Sequence, residues 1–289
     1  MLNRNYLATS MLAVLITGTC IFPAPGTADE KTNVADLANQ LQSDDLETRR
    51  NAAYQLAAIG EGASEAVPAL TEALADRDDQ VWFQAALAIA RIGPPAHNAT
   101  PQLVENLENY RDQRRYRAAY ALGKIGPDAV PALLEALKHR SSQVREGAAR
   151  ALGWMTIDSE AVVDALVETL ADSDDQVRYR AAEALAARGE ACESALSHAL
   201  SGQSQAARRA AAFALSQTRP VQDATIEALA EATQIDDVEV RGPSLVALAK
   251  STVDRDRLVP MVVAALADSD PTLRESGMLA LQKLGESSG

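Results

Sequence analysis

What most constrains this chain is a repeat. The segments TRRNAAYQL, VWFQAALAI, RRYRAAYAL, VREGAARAL, VRYRAAEAL, ARRAAAFAL, VRGPSLVAL and LRESGMLAL begin at Thr48, Val81, Arg114, Val144, Val177, Ala207, Val240 and Leu273, at steps of 33, 33, 30, 33, 30, 33 and 33 residues. Ahead of each runs a second apolar series with the same steps: Leu37, Leu70, Leu103, Leu133, Leu166, Leu196, Leu229 and Val262. Four residues later follow Leu41, Leu74, Leu107, Leu137, Leu170, Leu200, Thr233 and Leu266. Apolar pairs at i and i+4 on both members describe amphipathic helices that each need a partner. At a fixed period of this size, such pairs stack so that every unit buries its apolar face only against its neighbours. The sequence therefore predicts an all-α solenoid of about eight helical hairpins filling residues 29–289. Its repeats fall at about 33–60, 65–93, 98–126, 128–156, 160–189, 191–219, 223–251 and 256–285.

The punctuation keeps the same register. Three residues before each nine-residue segment stand Asp45, Asp78, Ser141, Asp174, Ser204, Asp237 and Asp270, side chains that accept backbone hydrogen bonds at a helix N-cap. The third repeat breaks the row with Arg111, leaving Asp112 as the expected substitute cap. Pro68, Pro101, Pro131 and Pro260 are expected near the start of the first helix, where a missing N–H costs nothing. Gly60, Gly93, Gly126, Gly189 and Gly285 follow the second helix and suit a left-handed C-terminal cap. Pro243 falls inside the seventh second helix and is expected to bend or delay it.

The segments VREGAARALG and VRYRAAEALA, with Asp or Ser ahead and Arg after the first apolar residue, resemble HEAT repeats, most closely the short HEAT-like type named after phycobilisome (PBS) bilin lyases. The resemblance covers roughly residues 33 to 285. It implies a right-handed α-α superhelix of the armadillo/HEAT type whose inner wall, made by the second helices, binds proteins or peptides. It also implies that the Arg at place 2 of each segment, namely Arg49, Arg115, Arg145, Arg178, Arg208, Arg241 and Arg274, forms a structural ladder with turn aspartates of neighbouring repeats. Trp82 is the exception in that row. A shared scaffold does not fix a shared activity.

The first 28 residues read differently. Arg4 is their one charge, an apolar stretch runs from Leu7 to Phe22, and small residues end at Gly26, Thr27 and Ala28. This is the pattern of a cleavable secretory signal peptide, predicting an exported chain, periplasmic or extracellular, that begins at Asp29. The stretch is broken by Thr17, Gly18 and Thr19, so an uncleaved anchor is the weaker reading. The same residues match a lipoprotein signal at Cys20 poorly. Without that leader, Cys192 is the one remaining thiol, expected to be buried on a first helix. Removing Arg4 leaves 26 Lys and Arg against 40 Asp and Glu, which disfavours nucleic acid as a partner. Both ends carry polar flanks, Asp29 to Asn33 and Glu286 to Gly289, and are expected to be capped for solubility.

Catalytic and metal chemistry lacks its residues. His97, His139 and His198 are isolated and none is followed by Glu, whereas the HEAT-like deoxyhypusine hydroxylases bind iron through His-Glu steps. No phosphate-cradling glycine loop, nucleophile elbow or Cys-x-x-Cys pair occurs, so neither cofactor nor metal is expected.

What remains is the surface of the second helices. Over places 3 to 11 these hold nine Lys or Arg against three Glu, so the acid lies elsewhere and this wall is the candidate site. Its exposed places carry Arg50, Tyr54, Phe83, Tyr116, Arg117, Tyr120, Arg150, Trp154, Tyr179, Arg180, Arg209 and Phe213. Stacking is expected to set Arg117 and Arg180 on either side of Gly147, with Tyr120, Arg150 and Glu183 in the next row, as a shallow basic and aromatic trough. Tyr, Trp and Arg dominate protein interfaces, and this set suggests an acidic or aromatic peptide segment of a protein partner. The leading expectation is an exported, non-enzymatic scaffold. The alternatives are a subunit of a lyase-like or cofactor-maturation enzyme resembling bilin lyases, and an envelope structural spacer.

Overall fold

The computed structural model describes residues 34–155, 157, 159–220 and 222–286, all within the compact unit Val34–Gly289. The expected signal peptide and Cys20 lie outside the described residues. Among those described there are helices and turns and no strand.

Eight hairpins follow one another: α1 (Val34–Gln40) with α2 (Leu46–Ile59), α3 (Val67–Ala73) with α4 (Asp79–Ile92), α5 (Thr100–Asn106) with α6 (Asp112–Ile125), α7 (Val130–Ala136) with α8 (Ser142–Gly153), α9 (Glu160–Thr169) with α10 (Asp175–Ala186), α11 (Glu193–Leu200) with α12 (Gln205–Gln217), α13 (Asp223–Ala232) with α14 (Val238–Lys250), and α15 (Arg255–Leu266) with α16 (Pro271–Glu286). The result is an all-α superhelix. Successive second helices pack along one another, while successive first helices touch far less, so the second helices carry most of the contact between repeats. The reason lies in places 5 and 6, where Ala52 and Ala53, Ala85 and Ala86, Ala118 and Ala119, Ala148 and Ala149, and Ala181 and Ala182 are buried and small enough for close approach. Leu56, Ile89, Leu122, Leu152, Leu185, Leu215 and Leu248 at place 9 supply the bulk between them, each worth about 1.5–3 kcal/mol of burial.

The caps hold where a carboxylate is available. Asp45, Asp78, Asp174, Asp237 and Asp270 accept from backbone N–H groups of the first turn, as does Ser204. Ser141 occupies the cap position but turns its hydroxyl to Gln143. Asp112 does not replace the missing third cap; it is the first residue of α6 and pairs with Arg115 instead.

Pro68, Pro101 and Pro131 stand at the second residue of α3, α5 and α7. Pro260 does not, because α15 starts early at the Asp254 cap and encloses it. Gly60 and Gly93 have φ of 66° and 71° with ψ of −128° and −136°, so they occupy the turn conformation open to glycine rather than a left-handed helical cap. Gly285 instead lies inside α16. Pro243 neither delays nor interrupts α14, which begins five residues earlier and continues to Lys250 while Val240, Leu245 and Leu248 hold it in the core. Cys192 is buried, as expected, but in the short 3-10 turn ahead of α11.

The expected ladder is formed only in part. Six of the seven arginines at place 2 donate to the carbonyl six residues back, closing their own hairpin: Arg49 to Ser43, Arg115 to Asn109, Arg145 to His139, Arg178 to Asp172, Arg208 to Gly202 and Arg274 to Asp268. Arg241 uses the Thr233 carbonyl. Only Arg49, Arg145 and Arg241 also reach the next repeat, at Asp76, Asp172 and Asp268. Those aspartates stand two residues before the N-cap, and the other repeats hold Asn109, His139, Gly202 or Ile235 there, with no carboxylate to offer. Asp76, Asp172 and Asp268 also accept the N–H of the cap residue itself, so one side chain fixes both its own turn and the preceding repeat.

Repeat two solves the same problem in another way. With Trp82 at place 2, the Asp76 carbonyl lacks its usual donor six residues on. Arg114 of the following repeat fills the gap, donating to Asp76 O at 3.2 and 3.3 Å and to the Asp79 carboxylate at 2.7 and 3.0 Å. Its guanidinium lies 5.1 Å over the buried Trp82 ring, whose N–H donates to Asn106.

Candidate binding surface on the second helices

Places 3, 7 and 11 share one side of a helix, and on the second helices that side faces away from the core. Tyr116 and Tyr120 occupy it on α6, and Trp154, which caps α8, stands one repeat along. The Trp154 ring meets Tyr116 edge-on at 5.4 Å and Tyr120 at 5.8 Å, so two helices assemble one three-ring cluster. The rings remain 49%, 37% and 41% exposed for Tyr116, Tyr120 and Trp154. Gly123 permits this approach, since a Cβ there would sit 3.3 Å from Trp154 Cβ. Its role was hidden in the sequence because the contact is between repeats.

A second cluster forms on α10 and α12, where Tyr179 and Phe213 lie 5.3 Å apart with Arg180 over the Tyr179 ring at 5.2 Å. Burial raises the Tyr179 phenol above its ordinary pKa, helped by a hydrogen bond with Glu183. Phe83 packs partly into the core and carries Arg117 over its face at 4.9 Å. Tyr54 is exposed on α2, apart from these clusters.

The expected basic rows are not what the side chains form. Arg150 stacks on Tyr116 at 5.4 Å and pairs with Glu146, while Arg180 pairs with the same Glu146 at 3.1 Å and with Glu183 at 2.7 Å. Burial alone would lower the Arg180 pKa, but the two carboxylates more than offset it and hold the guanidinium charged. Gly147 is not an open floor between arginines: it is buried, and a Cβ there would come within 2.7 Å of Leu107 Cδ2. Arg209 is drawn to Asp237 and Glu239, both at 2.8 Å, and Arg50 to Asp78 at 2.7 Å. A guanidinium within reach of a carboxylate on its own or the adjacent helix takes it, because charge-assisted hydrogen bonds outweigh exposure to water. Arg117 and Lys124 have no carboxylate partner among the described residues; Lys124 lies 5.4 Å over the Tyr120 ring. The wall is thus an aromatic surface with mostly neutralised charge, on which Lys124 lies over a ring of the three-ring cluster and Arg117 over Phe83 of the preceding repeat.

Among the described residues, no three His, Cys, Asp or Glu come together in a way that could hold a metal ion. No helix among them is long and apolar enough to cross a membrane.

No curated protein matches the chain at a significant level. Solved structures similar to it include an engineered protein at 26% identity, covering 87% of this chain and 78% of that one with a TM-score of 0.40. Human deoxyhypusine hydroxylase in complex with glycerol is similar at 22% identity, over 88% and 96% of the two chains, with a TM-score of 0.34. A second engineered protein is similar at 24% identity over 88% and 96%, with a TM-score of 0.27. Scores this low carry no argument about function. The model of HEAT repeats matches residues 34–123, 100–186 and 163–249, most of the described array, and the chain belongs to the HEAT repeat family.

Proposed function

We propose that this protein is an exported, non-enzymatic scaffold whose second-helix wall holds a segment of another protein. The observation that carries the reading is the exposed cluster of Tyr116, Tyr120 and Trp154, three large rings held in fixed geometry by two adjacent helices. Rigid aromatic side chains left in water are the anchors that protein interfaces use, since burying them gains area at little entropic cost. Lys124 over the Tyr120 ring, and Arg117 over Phe83 on the same wall, favour a segment that sets an apolar or aromatic side chain between the rings and a carboxylate next to them, an acidic peptide in that sense. Residues 1–28 support export, and the 30- or 33-residue period with its VREGAARALG pattern supports the PBS lyase-like type of repeat as a description of the scaffold alone.

The test is capture of proteins from an envelope extract by the chain from Asp29, compared with Tyr116→Ala/Trp154→Ala and with Arg117→Glu/Lys124→Glu. These residues make no described ion pair, so helicity should be kept. A partner lost by both variants is the expected result. Equal capture by all three proteins, or a coloured small molecule bound to the purified chain, would overturn the reading.

A further inference from the structure

The seventh repeat departs from the others where its first helix ends. Leu41, Leu74, Leu107, Leu137, Leu170 and Leu200 hold one register of the first six first helices, and all are buried. Leu107 shows where such a side chain goes: it reaches Gly147 on the second helix of the following repeat. At that register α13 ends on Thr233, whose hydroxyl turns back to the Ala230 carbonyl of its own helix. Threonine is shorter than leucine, and α13 and α15 barely touch, so the space a leucine would fill stays open. A cavity of about 80 Å³ lies there, between the seventh and eighth repeats.

Its floor is apolar. Leu245 and Leu273 are buried in it, and Met261 sets its sulfur 4.0 Å from the Thr233 hydroxyl. Its mouth is polar, with the exposed Gln234 beside Arg241. Arg241 is itself displaced. The other six arginines at place 2 donate to the carbonyl six residues back, whereas the Ile235 carbonyl that would serve Arg241 accepts the Asp237 N–H. Arg241 instead donates from Nε to the Thr233 carbonyl at 3.3 Å and from Nη2 to Asp268 at 3.4 Å. Arg145, by comparison, grips Asp172 with two bonds of 2.7 Å. The Nη1 group of Arg241 is left at the rim of the cavity with no acceptor among the described residues. Asp268 does not cancel this charge alone: it also accepts the Asp270 N–H, and Arg274 donates to its carbonyl, so the turn carries two guanidiniums for that carboxylate.

We propose that this cavity binds a small aliphatic monocarboxylate, its chain on Leu245, Met261 and Leu273 and its carboxylate on Arg241 and Gln234. By the measure in which one water needs about 10–15 Å³, the space takes about five to eight non-hydrogen atoms, the size of butyrate or valerate. A guanidinium at one end and an apolar floor at the other select such an acid over a sugar, whose hydroxyls would meet the leucines without partners. The cavity lies among α13, α14, α15 and α16, apart from the three-ring cluster on α6 and α8, so either proposal can fail alone.

The experiment is nuclear magnetic resonance of the chain from Asp29, with isotope-labelled methionine methyl groups, titrated with sodium butyrate. Met155, Met261 and Met278 are the methionines after Asp29, and only Met261 lines the cavity. The expected result is a saturable shift confined to Met261, with Kd of about 0.1–5 mM. Thr233→Leu fills the space and should abolish the shift while raising the thermal midpoint, which separates lost binding from lost fold. Arg241→Gln should weaken butyrate at least about tenfold, and butyramide, of the same shape without the charge, should bind the parent at least about tenfold more weakly. No saturable shift up to about 50 mM, equal binding by Thr233→Leu, or equal affinity for butyramide would overturn the proposal.

Discussion

The exchange between Trp82 and Arg114 makes a quantitative prediction. Replacing Arg114 by Val, the commonest residue at its place, leaves the Asp76 carbonyl without a donor, at a cost of about 1–3 kcal/mol. It also removes the stack on Trp82, about 0.5–2 kcal/mol, and the pair with half-exposed Asp79, about 0–1 kcal/mol. Burying the valine returns about 1.5 kcal/mol, so the net loss is about 2 kcal/mol. Trp82→Arg alone forfeits much of a fully buried ring and sets a second guanidinium against Arg114, a loss of about 3–5 kcal/mol. In the double variant, the guanidinium introduced in place of Trp82 would donate to the Asp76 carbonyl six residues back, as Arg49, Arg145 and Arg178 do in their own repeats. The double variant should therefore lie at least about 1.5 kcal/mol above the sum of the singles. Urea unfolding followed by circular dichroism, with the slope checked for constancy, measures all four corners of the cycle. Additivity within about 0.5 kcal/mol would show that Arg114 does not substitute for the missing arginine.

His139→Asp would place a carboxylate two residues before the fourth cap, able to accept the Ser141 N–H as His139 does now and to meet Arg115; a gain of about 0.5–1 kcal/mol in the same unfolding assay is expected. Gly147→Ala forces a methyl to 2.7 Å from Leu107 and should cost about 1–3 kcal/mol, read as a lower thermal midpoint. Acid should destabilise the array through Asp172, Asp237 and Asp78. Burial raises Asp172 and Asp237, but hydrogen bonds from Arg145 and Arg209 outweigh it, and the hydrogen bond from Arg50 lowers Asp78, so all three lie below their ordinary 3.8 when folded. Their contribution is complete above the ordinary value and is lost as pH falls through the folded values. Melting should thus be flat from about pH 7 to 5 and fall below about 4, less steeply in Asp172→Asn.

Repeat number, helix order and most caps were legible in the sequence because each depends on neighbours a few residues apart, and a fixed period multiplies that local signal eightfold. The ladder, expected from the resemblance for seven arginines, forms in part: its rungs join Arg49, Arg145 and Arg241 to aspartates 27 residues on and fail where that place lacks a carboxylate. The sequence alone could not assign partners across the stack. Whether Arg150 and Arg180 line an open trough or converge on Glu146, whether Trp154 meets Tyr116, and whether Gly147 faces water or Leu107 are set by distances between helices. Periodicity in sequence specifies what each unit can bury, whereas the packed array decides what is in fact covered, because burial and ion pairing belong to the distance between units rather than to any unit alone.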